Sequence, residues 1–166
     1  MALQDEIDKA RGEIRTDGYS MSIGEWISLY QSNEIDIHPE FQRFFRWSSF
    51  QKSRLIESIL LGIPIPQVFV AQRQEDGVWE VIDGLHRLST IYEFVGILKN
   101  EKGEPISTLT LEKTKYLPSL AGKKFEDKHA KMKDKEVKTL IFDKYLRETN
   151  NAKEGNQSVA KFFIKK

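Results

Sequence analysis

Apolar positions recur along the chain with two different periods, and the switches between them mark out most of the expected elements. Ile23, Trp26, Ile27 and Tyr30 fall at i, i+3, i+4 and i+7, which is one face of a helix. Ser22 precedes them with Glu25 three residues on, a capping-box spacing that opens the helix, and Ser32-Asn33 closes it. Glu34-Ile35-Asp36-Ile37 then alternates like a half-buried strand that Pro39 terminates. A second capping-box spacing, Ser48 with Gln51, opens a helix whose buried stripe is Leu55, Ile56, Ile59 and Leu60 and whose stop is Gly62. Ile63-Pro64-Ile65-Pro66 cannot continue that helix, because proline fixes φ and restricts the residue before it. An extended lead-in to a strand at Gln67 to Ala71 follows instead. Asp76-Gly77 reverses the chain into Val78 to Ile82, so the two strands are expected to form a hairpin. Leu88, Ile91, Tyr92 and Val95 restore the helical period and predict a helix from about Leu85 to Leu98.

On either side of this stretch the pattern is weaker. Residues 4–15 are polar with Ile7 and Ile14 as anchors, and read as an N-terminal helix or a loosely held arm. His38 to Trp47 packs four aromatics and two arginines into ten positions without a clean period, which predicts an ordered loop. Asn100 to Pro105 is a solvent loop, Ile106 to Leu111 a short edge strand, Lys113 to Leu120 a short helix and Ala121 to Lys133 a charged connection. Val137, Leu140, Ile141 and Tyr145 mark a final helix from about Asp134. Beyond the polar residues Asn150 to Gln157, the apolar segment Val159 to Ile164 cannot bury itself alone, and the chain is read as compatible with a truncated piece of something longer. The order of elements predicts an α+β domain spanning residues 1–166, a small mixed sheet packed with helices and carrying a strand-turn-helix motif.

Composition narrows the class without naming the chemistry. A 39% hydrophobic and 31% charged chain of 166 residues can build a real core, and its apolar runs are far shorter than the roughly 20 residues that cross a bilayer. Met1 leads into Asp5, Glu6 and Asp8 rather than into a signal peptide, so no membrane partner is expected. The absence of cysteine removes disulfides, thiol nucleophiles and thiolate metal sites, and fits a reducing cytoplasm. His38, His86 and His129 are scattered, which argues against a zinc site. The net charge of +1 hides an asymmetry: residues 1–98 carry nine Lys/Arg against fifteen Asp/Glu, and residues 99–166 carry seventeen against ten. The basic half is compatible with nucleic acid, but lysines interleaved with acids on a helix face are more often a solvated surface.

The chemistry concentrates where the strand Trp79 to Ile82 gives way to the helix after it. Asp83-Gly84-Leu85-His86-Arg87 occupies that turn and brings a carboxylate, an imidazole and a guanidinium together. The first amides of a helix lack intrahelical partners and sit at the positive end of its dipole, so the turn suits an anion, and Gly84 lets a phosphate come close. Arg43, flanked by aromatics, is a candidate second clamp, since an arginine fork is how proteins hold carboxylates and phosphates. Each residue also has a plainer role. Asp83 can cap the helix, Arg87 can pair with Asp83 one turn away, and His86 can be a satisfied buried histidine.

Three motifs in order, Ile37-x-Pro39-x-Phe41-Gln42-Arg43-x-x-x-Trp47-Ser48, then Leu55 to Pro66, then Val81-Ile82-Asp83-Gly84-x-x-Arg87-Leu88, resemble the N-terminal domain of GmrSD-type restriction proteins, within the ParB/sulfiredoxin-like superfamily. The resemblance is strong over residues 20–98. It implies a small α+β fold framing a nucleotide pocket, with the Asp-Gly-x-x-Arg turn at its phosphate end. It also implies nucleotide hydrolysis, and coupling to a nuclease domain or subunit that cuts modified phage DNA. The family's Asp-Gly-Gln-Gln-Arg pattern falls on Asp83, Gly84, Leu85, His86 and Arg87, so the chain departs from it at Leu85 and His86. His86-Arg87 resembles instead the Gly-x-His-Arg phosphate grip of sulfiredoxins, whose reactive cysteine would stand at Leu85; without that thiol, sulfinic acid reduction is excluded.

The expected ligand is therefore a nucleoside triphosphate with Mg2+. Catalytic roles fall to Asp83, His86 and Arg87, nucleotide contacts to Gln42, Arg43, Gly84, Leu85, His86 and Arg87, and a metal contact to Asp83. Two rival readings remain. One is a DNA-binding or nicking ParB-like module, although the chain has no histidine-asparagine-histidine nuclease pattern. The other is a catalytically silent nucleotide sensor, because Leu85 cannot orient a water.

Overall fold

The structure, a computed structural model, describes residues 3–37, 47–125 and 158–165. Gln42, Arg43 and the rest of the 38–46 loop lie outside the described residues, as does the helix expected from Asp134.

The two capping boxes form as the sequence predicts. The Glu25 amide donates to Ser22 Oγ at 3.2 Å and the Ser22 amide donates back to the Glu25 carboxylate, opening helix α2 (Ile23–Gln31). Ser48 and Gln51 exchange bonds of 2.9 and 3.2 Å at the start of α3 (Ser49–Leu60). Before them come α1 (Leu3–Glu13) and strand β1 (Ile14–Met21), and between them β2 (Ile35–Asp36). Strands β3 (Val68–Gln72) and β4 (Trp79–Asp83) form the expected hairpin and lead into α4 (Leu85–Val95); β5 (Ser158–Lys165) is the last element described.

The five strands make one mixed sheet in the order β1-β5-β3-β4-β2. The segment Val159 to Ile164 enters the sheet as part of β5, antiparallel to β1 and parallel to β3. At the hairpin turn Gly77 takes φ 73°, and Arg73 holds Asp76 through two guanidinium bonds of 2.9 and 3.2 Å while also donating to Asp36 of β2 at 3.2 Å. The turn is thereby tied to its parallel neighbour.

One apolar cluster joins the helices to the sheet, with Trp26, Ile56, Ile59, Val68, Val70, Leu88, Ile91 and Tyr92 essentially inaccessible. Tyr92 stacks on Tyr30 and its hydroxyl donates to the Trp26 carbonyl at 3.0 Å, which satisfies the polar end of a buried aromatic.

Four sequence expectations are corrected. β1 was not anticipated: Ile14 and Arg15 fell in the expected N-terminal helix or arm, and the strand is made by pairing with β5 over Ile14–Met21. Helix α4 stops at Val95 rather than Leu98, since Gly96 adopts φ 79° and the Ile97 amide donates back to the Tyr92 carbonyl. Ile106 to Leu111 forms no strand. Leu109 and Leu111 are buried as the alternation implies, but the amides of Leu109 and Glu112 donate to the Glu93 carbonyl and the Ser53 hydroxyl, on helices instead of a strand. Lys113 to Leu120 yields only the 3-10 turn Pro118–Leu120, because the Tyr116 and Leu117 amides are drawn to the Glu57 carboxylate.

Candidate functional site

The turn from β4 to α4 is shaped by packing around a residue without a side chain. Gly84 is the N-cap of α4 at φ 98°, a left-handed conformation, and no side chain caps the helix. A Cβ there would stand 2.9 Å and 3.2 Å from the two Val68 methyls and 3.1 Å from Arg87 Nη2. The missing side chain therefore admits Val68 and Arg87 against the turn, while the first amides of α4 are left without a capping side chain.

Arg87 is the best-anchored polar group of the turn. Its Nη2 donates to the Gln67 carbonyl at 2.8 Å and to Asp83 Oδ2 at 3.2 Å, and its side chain is 15% exposed. Nε is buried without a hydrogen-bond partner among the described residues. Leaving a buried donor unmade costs about 1–3 kcal/mol, so this is a group that a ligand oxygen would relieve. Asp83 does not cap the helix. It pairs with Arg87 and keeps 66% of its side chain exposed.

His86 follows a different course from its neighbour. Its ring stacks on Trp47 with centroids 5.6 Å apart and planes within 16° of each other. Burial, and then the Lys52 ammonium nearby, lower its pKa below the ordinary 6.5 and favour the neutral imidazole. Lys52 of α3 is paired with Glu93 of α4, and these residues with Trp47, His86, Ser89 and Thr90 line a cleft of about 500 Å³. Successive helical residues point about 100° apart, which is why His86 and Arg87 serve different surroundings. Asp83, Gly84 and Arg87 are thus brought together, while His86 belongs to the Trp47 and Lys52 side. Leu85 packs on the core.

Trp47 stood in the sequence only as one residue of a motif, and Lys52, Glu93 and the Gln67 carbonyl gave no sequence signal at all. Lys52 and Glu93 come from different helices, and a backbone carbonyl has no letter of its own. Among the described residues no group of three or more His, Asp or Glu side chains is arranged to hold a metal ion, which leaves Asp83 as a single carboxylate at the turn. Nor is any described helix long and apolar enough to cross a membrane.

The whole arrangement can be set against known families. The model of the GmrSD restriction endonuclease N-terminal domain matches the chain over residues 23–166. The chain belongs to this family. It is thereby marked as a restriction-type domain, and the match begins at the first residue of α2, so α1 and β1 precede it. No curated protein and no solved structure matches the chain significantly. Within this GmrSD domain the Asp83 to Arg87 turn lies inside the matched span, as do Trp47 and Lys52.

Proposed function

We propose that this GmrSD N-terminal domain binds a nucleoside triphosphate with Mg2+ at the α4 turn and hydrolyses it, in the service of a nuclease domain or subunit that acts on DNA. The observation that carries the reading is the pairing of an uncapped, left-handed helix start with a half-buried arginine whose buried Nε has no partner among the described residues. The turn amides and Arg87 take phosphate oxygens there, where the helix dipole is positive. Mg2+ usually keeps most of its waters and binds through one or two carboxylates plus phosphates, so one exposed aspartate fits it. Asp83 either contacts the metal or positions the attacking water. His86, its pKa lowered by burial and then by Lys52, donates a hydrogen bond from the Trp47 side. Calorimetry of the full chain with each of the four triphosphates and Mg2+ should give heat, Arg87→Ala should abolish it, and Asp83→Ala should remove turnover more than binding. No heat with any triphosphate refutes the proposal.

One observation favours a silent sensor as the second reading. Leu85, which stands where the family keeps a glutamine, is apolar and packed on the core, and cannot orient a water. Saturable binding with no phosphate release would select it.

A further inference from the structure

Glu57 is 4% exposed, yet it spends its charge on a surface segment: its Oε1 accepts from the amides of Tyr116 and Leu117 at 2.7 and 2.8 Å. Ser53, fully buried on the same helix, accepts from the Glu112 amide at 2.8 Å. The loop is closed at its base by the Leu111 amide donating to the Lys123 carbonyl and the Gly122 amide to the Leu111 carbonyl, both at 2.8 Å. Leu111 and Thr114 are buried and Leu120 packs on the core, so the inner side of the loop is fixed.

Its outer side is cationic. Lys113, Lys115 and Lys124 are exposed and Lys123 is half-buried, against the single acid Glu112 in the stretch 111–124. None of the four lysines forms an ion pair with a described residue. Among them Tyr116 leaves 63% of its surface in solvent, with the Lys115 ammonium 5.2 Å from its ring centroid.

We infer that the Leu111–Lys124 loop is a docking surface for single-stranded nucleic acid. The four lysines take backbone phosphates and the Tyr116 ring stacks on an unpaired base. Charge tracks the phosphodiester backbone and an exposed aromatic stacks on any base, which is the physics of sequence-tolerant single-strand binding. The internal pinning supplies the other requirement. A loop already ordered by Glu57 and Ser53 loses little freedom when it binds. The surface shares no residue with the α4 turn, so the two proposals can fail separately.

The test is fluorescence anisotropy of the full chain with a labelled oligonucleotide, single-stranded and as the duplex of the same length, over a salt series without added triphosphate. The single strand should bind more tightly. The combined Lys113→Ala, Lys115→Ala, Lys123→Ala and Lys124→Ala variant should bind at least tenfold more weakly, with the slope of log affinity on log salt reduced by about 3. Tyr116→Ala should weaken single-strand binding about 5- to 100-fold and leave duplex binding unchanged. Replacing the exposed Lys9 and Arg11 of α1 by alanine should change neither. No binding of either oligonucleotide, wild-type affinity and slope in the lysine variant, or equal losses on duplex and single strand in Tyr116→Ala would each overturn the inference.

Discussion

Gly84→Ala puts one methyl group at the centre of the proposed site, and the structure allows its cost to be worked out. At φ 98° an L-residue carries the left-handed penalty, about 1–2 kcal/mol. The new Cβ would also stand 2.9 Å from a methyl of Val68, a residue 1% exposed on a strand between two others. Forcing a methyl into such a contact adds about 1–3 kcal/mol. The total of about 2–5 kcal/mol is a large share of an ordinary domain's stability, and in a chain of this size corresponds to a fall in Tm of about 5–15 °C. Urea unfolding of wild type, Gly84→Ala, Val68→Ala and the double variant separates the two terms. Val68→Ala removes the methyls that clash, so the double variant should be more stable than the single costs add up to, by at least about 1 kcal/mol. What remains of the Gly84→Ala cost is backbone strain. A Gly84→Ala protein within about 0.5 kcal/mol of wild type, or a strictly additive cycle, would refute the account of Gly84 as the space that Val68 and Arg87 occupy.

Two further predictions concern titrating groups. For Glu57, burial alone would raise the pKa, but the Thr114 hydroxyl, the amides of Leu117 and Tyr116 and the Arg54 charge together hold it below 4.5. Its stabilisation is therefore present above that value and lost as the pH falls through the lower folded pKa, so the Tm gap between wild type and Glu57→Gln should shrink from neutral pH to strongly acid pH. A gap that is constant with pH would count against an ionised Glu57. For His86 the folded pKa lies below 6.5, so the unfolded chain takes up the proton first and stability falls as the pH drops through 6.5. An NMR titration of the imidazole should show this depressed midpoint, and Lys52→Ala should raise it; an unmoved midpoint would remove Lys52 as a cause.

The parts of the fold legible in the sequence were those whose cause is local. Ser22 with Glu25, and Ser48 with Gln51, close their bonds within three residues, and Asp76-Gly77 makes its turn with neighbours on either side. β1 was illegible because its strand character comes from β5 at the far end of the chain. Ile106 to Leu120 misled for a related reason. Its alternation reported burial correctly, but the partners that settled its backbone, Ser53 and Glu57, sit on a helix some sixty positions earlier and leave no local trace. The turn itself was legible as a motif, since Asp83, Gly84 and Arg87 meet as their spacing implies. The direction in which His86 departs was not, because it depends on Trp47 and α3.

That divergence bears on how a phosphate would enter. Two acceptors hold Arg87 Nη2, and they differ in strength. The Gln67 carbonyl is the shorter partner, at 2.8 Å, and locks the guanidinium to the lead-in of β3. The Asp83 contact is longer, at 3.2 Å, and involves a carboxylate that is 66% exposed. Such solvated pairs contribute about 0–1 kcal/mol, well under what a phosphate gains from an arginine and a helix start together. An arriving phosphate would therefore displace Asp83 and leave the Gln67 bond in place, keeping the guanidinium oriented. The displaced carboxylate is then the one free to meet a phosphate-bound cation. Arg87 and Asp83 thus form a resting pair whose weak half is the half that the proposed chemistry needs released.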